Sequence, residues 1–196
     1  MTASVTLVLP AWVEEVVDDR GARVPGRLGD DHARMGFVLA LARENVDRGD
    51  GGPFAAAIFD VTTGSLVAAG VNLVLASKVP IAHAEVVAIA MAGPSLGSYD
   101  LRIAGPTELV TSCEPCAMCL GAVPWSGLSR VVAGARDEDA RAVGFDEGDK
   151  PGDWAAYLRR RGIEVVVDIR RSESAAVIRG YVEAGGHVYN GARGSV

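Results

Sequence analysis

Two short segments 33 residues apart constrain this chain more than any other feature: His83-Ala84-Glu85 and Pro115-Cys116-Ala117-Met118-Cys119. One imidazole and two thiols in this order make a metal-ligand set of three, which leaves a tetrahedral zinc one position for water. That is the arrangement of a catalytic site, whereas a structural site is closed by four protein ligands. A fold that accommodates the set must bring both segments to one point, and each segment reads as the start of a helix. His83–Gly93 is apolar on most sides and ends in Gly-Pro, as a buried helix would. Pro115 suits a first helical position, so a second helix is expected from there to about Val123. Two helix N-termini aimed at one ion would favour the thiolate forms of Cys116 and Cys119.

Glu85 stands two residues from His83, close enough to sit beside the metal without ligating it. There it would accept a proton from the metal-bound water and return it to a leaving group. Cys113 falls on the strand side of Pro115 and reads as a bystander. The competing readings are a closed zinc with Cys113 as fourth ligand, and three buried residues with no metal at all.

The rest of the chain supplies a scaffold. Residues 1–31 contain Pro10, Pro25 and three Gly without sustained periodicity, and are expected to form an arm with a short helix at Trp12–Asp18. Residues 32–196 read as a single domain. Its first core helix is His32–Arg48, with Met35, Val38, Leu39, Ala42 and Val46 at helical spacing. Phe54–Val61 and Leu66–Leu75 flank Thr62-Thr63-Gly64-Ser65 as a hairpin. Strands at Thr107–Ser112, Ser129–Ala135 and Ile163–Ile169 alternate with helices, including Asp153–Arg161 and Glu173–Glu183. This alternation predicts a three-layer αβα sandwich with a mixed, mostly parallel sheet and an antiparallel edge.

Composition removes several functions. With 19 Lys and Arg against 25 Asp and Glu the net charge is −6, which speaks against a sequence-blind nucleic-acid binder. The longest apolar runs fall short of the ~18 residues of a membrane span. The opening MTASVTLVLPAWVEE has no basic region, so the chain is read as cytoplasmic. Three Cys within seven residues make no disulfide framework.

The motifs ARMGFVLALARENV, GGPFAAAIFD, HAE, TSCEPCAMCLGAVPWSG, GARDEDARAVGFDEG and VYNGARG resemble the cytidine-deaminase-like superfamily of zinc hydrolases. Within it the chain looks like the bacterial guanine deaminases. The resemblance runs from about Leu9 nearly to the end. It implies a five-stranded sheet, usually a homodimer with the C-terminal segment exchanged, and zinc on His83, Cys116 and Cys119. The implied reaction is hydrolysis of guanine to xanthine and ammonia, by zinc-bound hydroxide attacking C2 with Glu85 as proton shuttle. Glu147, in GFDEG, matches a second acid that handles the purine amino group. Asn72 would hydrogen-bond the ring edge, and Ala84 would offer its backbone N–H to a ring carbonyl. Phe54, Trp125 and Phe145 are candidate walls, and Tyr189 and Asn190 candidate closures of the pocket.

Alternatives remain on the sequence. The substrate could be a related aminated ring such as ammeline, guanosine, cytosine or cytidine. A transfer-RNA adenosine deaminase shares the zinc motifs and would need a basic face, for which Arg159-Arg160-Arg161 with Arg170-Arg171 is the only candidate cluster. Gly93-Pro94-Ser95-Leu96-Gly97 fits G-x-S-x-G, the signature of a serine hydrolase, if a sharp strand-to-helix turn carries Ser95. A zinc-stapled interaction module is the non-enzymatic reading.

Overall fold

Period-two burial in the central strands divides the molecule into its layers. In β1 (Ala55–Asp60), Ala55, Ala57 and Phe59 face one core while Ala56 and Ile58 face another. The computed structural model describes residues 4–189. Its sheet has five strands in the order β2-β1-β3-β4-β5, with β2 at Leu66–Val71, β3 at Thr107–Cys113, β4 at Arg130–Ala135 and β5 at Glu164–Val166. β1 pairs antiparallel with both β2 and β3, whereas β3–β4 and β4–β5 are parallel. Four strands therefore share one direction, and the hairpin forms the antiparallel edge.

One face carries α1 (Trp12–Asp19), α2 (Asp31–Asp47) and α8 (Arg171–Glu183); the other carries α4 (Ala84–Leu96), α5 (Ala117–Ser126) and α7 (Trp154–Arg159). α1 is anchored by buried Trp12, Val13 and Val17, and the Trp12 indole donates to Asp50 at 2.6 Å. Asp30 caps α2 by accepting from the Ala33 N–H at 2.7 Å. The short helices α3 (Val74–Ser77) and α6 (Asp137–Arg141) complete the chain. Among the described residues no helix is long and apolar enough to cross a membrane.

Several boundaries differ from the sequence expectation for local reasons. The second strand stops at Val71, because Asn72 turns the chain: its Oδ1 accepts from the Val74 N–H at 3.2 Å and α3 follows. α4 runs through Gly93-Pro94 to Leu96. Its end is set by Gly97 at φ 65°, with Ser98 N–H bonding back to the Gly93 carbonyl and Gly97 N–H to that of Pro94. α5 begins after Cys116, so Pro115 precedes the helix. β5 keeps only three residues, pairing Glu164–Val166 with Arg130–Val132.

Candidate active site

The carboxyl end of β3 and the amino ends of α4 and α5 meet at one point, where open α/β sheets place their ligands. His83 and Cys116 are the N-cap residues of α4 and α5, each in extended conformation, with ψ 153° and 171°. Cys119 lies one turn into α5 and faces the same way. The three ligand atoms lie within 4.8 Å of one another. His83 Nδ1 and Cys116 Sγ are 3.5 Å apart; Zn–N and Zn–S bonds of about 2.05 and 2.3 Å at a tetrahedral angle span ~3.6 Å. The donor set and its spacing fit zinc. Cys113 ends β3, is buried, and directs its thiol at the Arg136 carbonyl at 3.7 Å, outside the ligand group.

Electrostatics follow from the crowding of acids in a dry corner. The Cys116 thiol is pulled down to about 4 by the hydrogen bond from Cys119 and, against burial, by His83. The partner thiol is pushed up, as expected where two sulfurs share a proton. Glu85, 7% exposed, accepts from Cys119 Sγ at 3.4 Å; burial, then the Cys116 charge, raise its carboxyl. Glu147 is equally buried and is pushed up to about 8, first by desolvation and then by Cys116, with Lys150 opposing.

His83, Cys116, Glu85 and Glu147 line one pocket together with Phe54, Asn72, Phe145 and Tyr189. Phe54 and Phe145 meet edge to face at 5.0 Å between centroids, and Tyr189 closes against Phe145 at 5.6 Å. Such rings make an apolar slot around a few polar groups. Asn72, 1% exposed, is held from behind: Asn45 Nδ2 donates to its backbone carbonyl at 3.0 Å and to that of Gly52 at 2.9 Å. The Tyr189 hydroxyl is buried with no hydrogen-bond partner among the described residues. Ala84 is the fully buried first residue of α4, where backbone N–H groups lack helical partners.

One sequence expectation changes here, and one rival reading falls away. Trp125 is 90% exposed on α5 and does not line the pocket, so the wall on this chain is Phe54 with Phe145. Ser95 sits in the last turn of α4 with its hydroxyl bonded to the Met91 carbonyl at 2.9 Å, which removes the strand-to-helix elbow a serine nucleophile needs. Asn190 lies outside the described residues. Sequence reasoning passed over Asn45, whose only signal was an amide on an apolar helix face, and the structural place of Lys150, which gave none.

The chain belongs to the family of cytidine and deoxycytidylate deaminases, whose zinc-binding region matches residues 29–135, more than half of its length. It is thereby a zinc-dependent aminohydrolase. More particular likenesses point one way. It is 45% identical over 120 residues to guanine deaminase of Bacillus subtilis, covering 58% of this chain and 74% of that protein. It superposes on the guanine deaminase of Nitrosomonas europaea with a TM-score of 0.83 at 42% identity, covering 92% of this chain and 97% of the other. A transfer-RNA-specific adenosine deaminase of Haemophilus influenzae is 33% identical over 114 residues, covering 58% of this chain and 63% of that one.

Proposed function

We propose that this protein deaminates guanine to xanthine and ammonia. The observation that carries the reading is likeness to guanine deaminases over almost the whole chain, with a buried amide and a second buried acid in the pocket. His83, Cys116 and Cys119 would hold zinc, which when bound acts as a Lewis acid and lowers the pKa of a coordinated water toward ~7.

The chain's own groups do the rest. Glu85, beside the ligand cluster, takes a proton from the attacking water and passes it to the ring as the new C2–O bond forms. Asn72 offers both a donor and an acceptor to the ring edge, and Ala84 N–H faces a ring carbonyl. Phe54 and Phe145 keep the slot flat and dry. Glu147, protonated at neutral pH by its burial, gives a proton to the departing amine as C2–N2 breaks, while the proton of the new C2 hydroxyl goes to Glu85 as the carbonyl forms. The reading extends to a cytoplasmic homodimer built from residues 1–31 as an arm and 32–196 as the catalytic domain, with the tail exchanged between subunits.

A transfer-RNA substrate is disfavoured by the state of the arginines. Arg170 is paired with Glu173, and Arg171 with Glu138 and Asp139, so within the candidate cluster only the exposed Arg159, Arg160 and Arg161 carry no ion pair among the described residues. The test is ammonia release by zinc-replete protein on guanine, guanosine, ammeline, cytosine, cytidine and adenosine in parallel, with salt-sensitive transfer-RNA retention alongside. Preferred turnover of guanine is expected. Turnover of another ring with guanine inert would discard the substrate and keep the chemistry.

A further inference from the structure

A lysine is an expensive residue to bury, and this acidic chain has only two, Lys78 and Lys150. The Lys150 side chain is 8% exposed, with its ammonium at three acceptors: the Pro115 carbonyl at 3.0 Å, Asp137 Oδ1 at 2.8 Å and Glu114 Oε2 at 3.9 Å. Its Nζ lies 6.0 Å from the centre of the Trp154 ring. Pro115 immediately precedes the ligand Cys116, and Lys150 lies three residues after Glu147. A single ammonium thus joins the backbone before one site residue to the loop carrying another.

The surrounding bonds close the connection. Ala117 N–H donates to the Glu147 carbonyl at 2.9 Å, Asp137 N–H to Glu114 Oε2 at 3.1 Å, and Arg141 reaches both Asp137 and the Gly148 carbonyl, the latter at 2.6 Å. Glu147 has no helix or strand of its own to fix it; its loop is held by ties of this kind and by the buried Phe145 ring two residues before it. Reacting groups tolerate about 1 Å of misplacement before rates fall ~100-fold, so the rigidity of this joint governs the reaction. We propose that Lys150 is a positioning residue for catalysis, locking the Glu147 loop to the Cys116 turn. The proposal rests on the reading of Glu147 given above.

Removing Lys150 leaves Asp137 paired with Arg141, and Glu114 still accepting the Asp137 N–H, so no carboxylate is stranded. The experiment compares zinc-loaded wild type, Lys150→Met and Asp137→Asn by kcat and KM for guanine, zinc content, and hydrogen exchange at the Ala117 amide. In Lys150→Met, kcat is expected to fall about 10–100-fold, as when a support behind a metal site is lost. KM should stay within about threefold, zinc content should hold, and Ala117 should exchange faster. Ethylammonium should restore part of the kcat of Lys150→Ala, which equal ionic strength from sodium chloride should not. Asp137→Asn should move kcat and exchange in the same direction by less, and decides the matter if Lys150→Met does not fold. Wild-type kcat with unchanged Ala117 protection overturns the proposal, as does a kcat loss that merely follows zinc loss. A wild type inert on guanine would sink the substrate reading, while the exchange measurement still decides the joint.

Discussion

Gly70 sets how closely the metal-bearing helix lies on the sheet, and adding one methyl group there should disable the site from a distance. It stands on β2 opposite Ala56. A Cβ at this position would meet the Ala84 carbonyl oxygen at 2.3 Å, Ala88 N at 2.5 Å and Ala88 Cα at 2.9 Å, all backbone atoms of α4. Ordinary contact begins near 3.4 Å, so Gly70→Ala requires helix and strand to separate by roughly 1 Å. If α4 lifts, His83 and Glu85 move; if the edge strand retreats, Asn72 moves. In either case the ring-binding and proton-transfer groups part by about 1 Å, which should cost ~100-fold in kcat. Overpacking should cost about 1–3 kcal/mol of stability, and for a chain of this size each kcal/mol lowers Tm by roughly 2–4 °C. Gly121→Ala on α5 is the control: its Cβ would meet open space, and a helical Gly→Ala change should stabilise by about 0.5–1 kcal/mol with activity intact. The assay is kcat of zinc-saturated protein with thermal melts of the same samples. A Gly70→Ala protein with wild-type Tm and kcat within about threefold would refute the packing argument.

Further predictions concern the opposite end of the sheet and the acid limb of stability. Glu108 is fully buried on β3 between Arg34, whose Nε also donates to the Leu28 carbonyl at 3.0 Å, and Arg130, which also grips Asp31 at 2.7 and 2.8 Å. Glu108→Gln strands the Arg34 charge and should destabilise by about 3–5 kcal/mol in urea titrations while the folded fraction keeps its kcat; a loss under ~1 kcal/mol would contradict this. Asp31 is held below its ordinary 3.8 by the hydrogen bond from Arg130. Because the folded value is the lower one, this contribution is full above about pH 4 and disappears as pH falls through the folded value. Asp31→Asn should therefore flatten the acid limb of a Tm-against-pH curve, and an unchanged limb would show the pair to be idle.

Legibility followed the range of the interactions involved. The clustering of His83, Cys116 and Cys119, with Glu85 beside them, could be read because each motif is local and the chemistry dictates residue type. The β1–β2 hairpin was equally visible, since Gly64 and alternating apolar residues lie within one short stretch. Helix ends misled where proline was taken as punctuation: Pro94 is tolerated within the last turn of α4, and Pro115 stands before α5 because Cys116 must be extended to face the metal site. Trp125 is a candidate wall as an aromatic side chain, yet helical phase turns it outward, seven residues from exposed Met118 and on the same face. Asn45 behind Asn72, and Lys150 between two loops, depend on contacts 27 and 35 residues away along the chain. No local pattern encodes such pairs.

The central claim is hydrolysis of guanine at a zinc site served by Glu85, and zinc content with guanine turnover in wild type and Glu85→Gln tests it most directly. The account predicts equal zinc in both proteins, with turnover lower by about 100-fold or more in the variant, the scale of a lost acid–base group. Full activity of Glu85→Gln, or a zinc-loaded wild type that leaves guanine untouched, would contradict it.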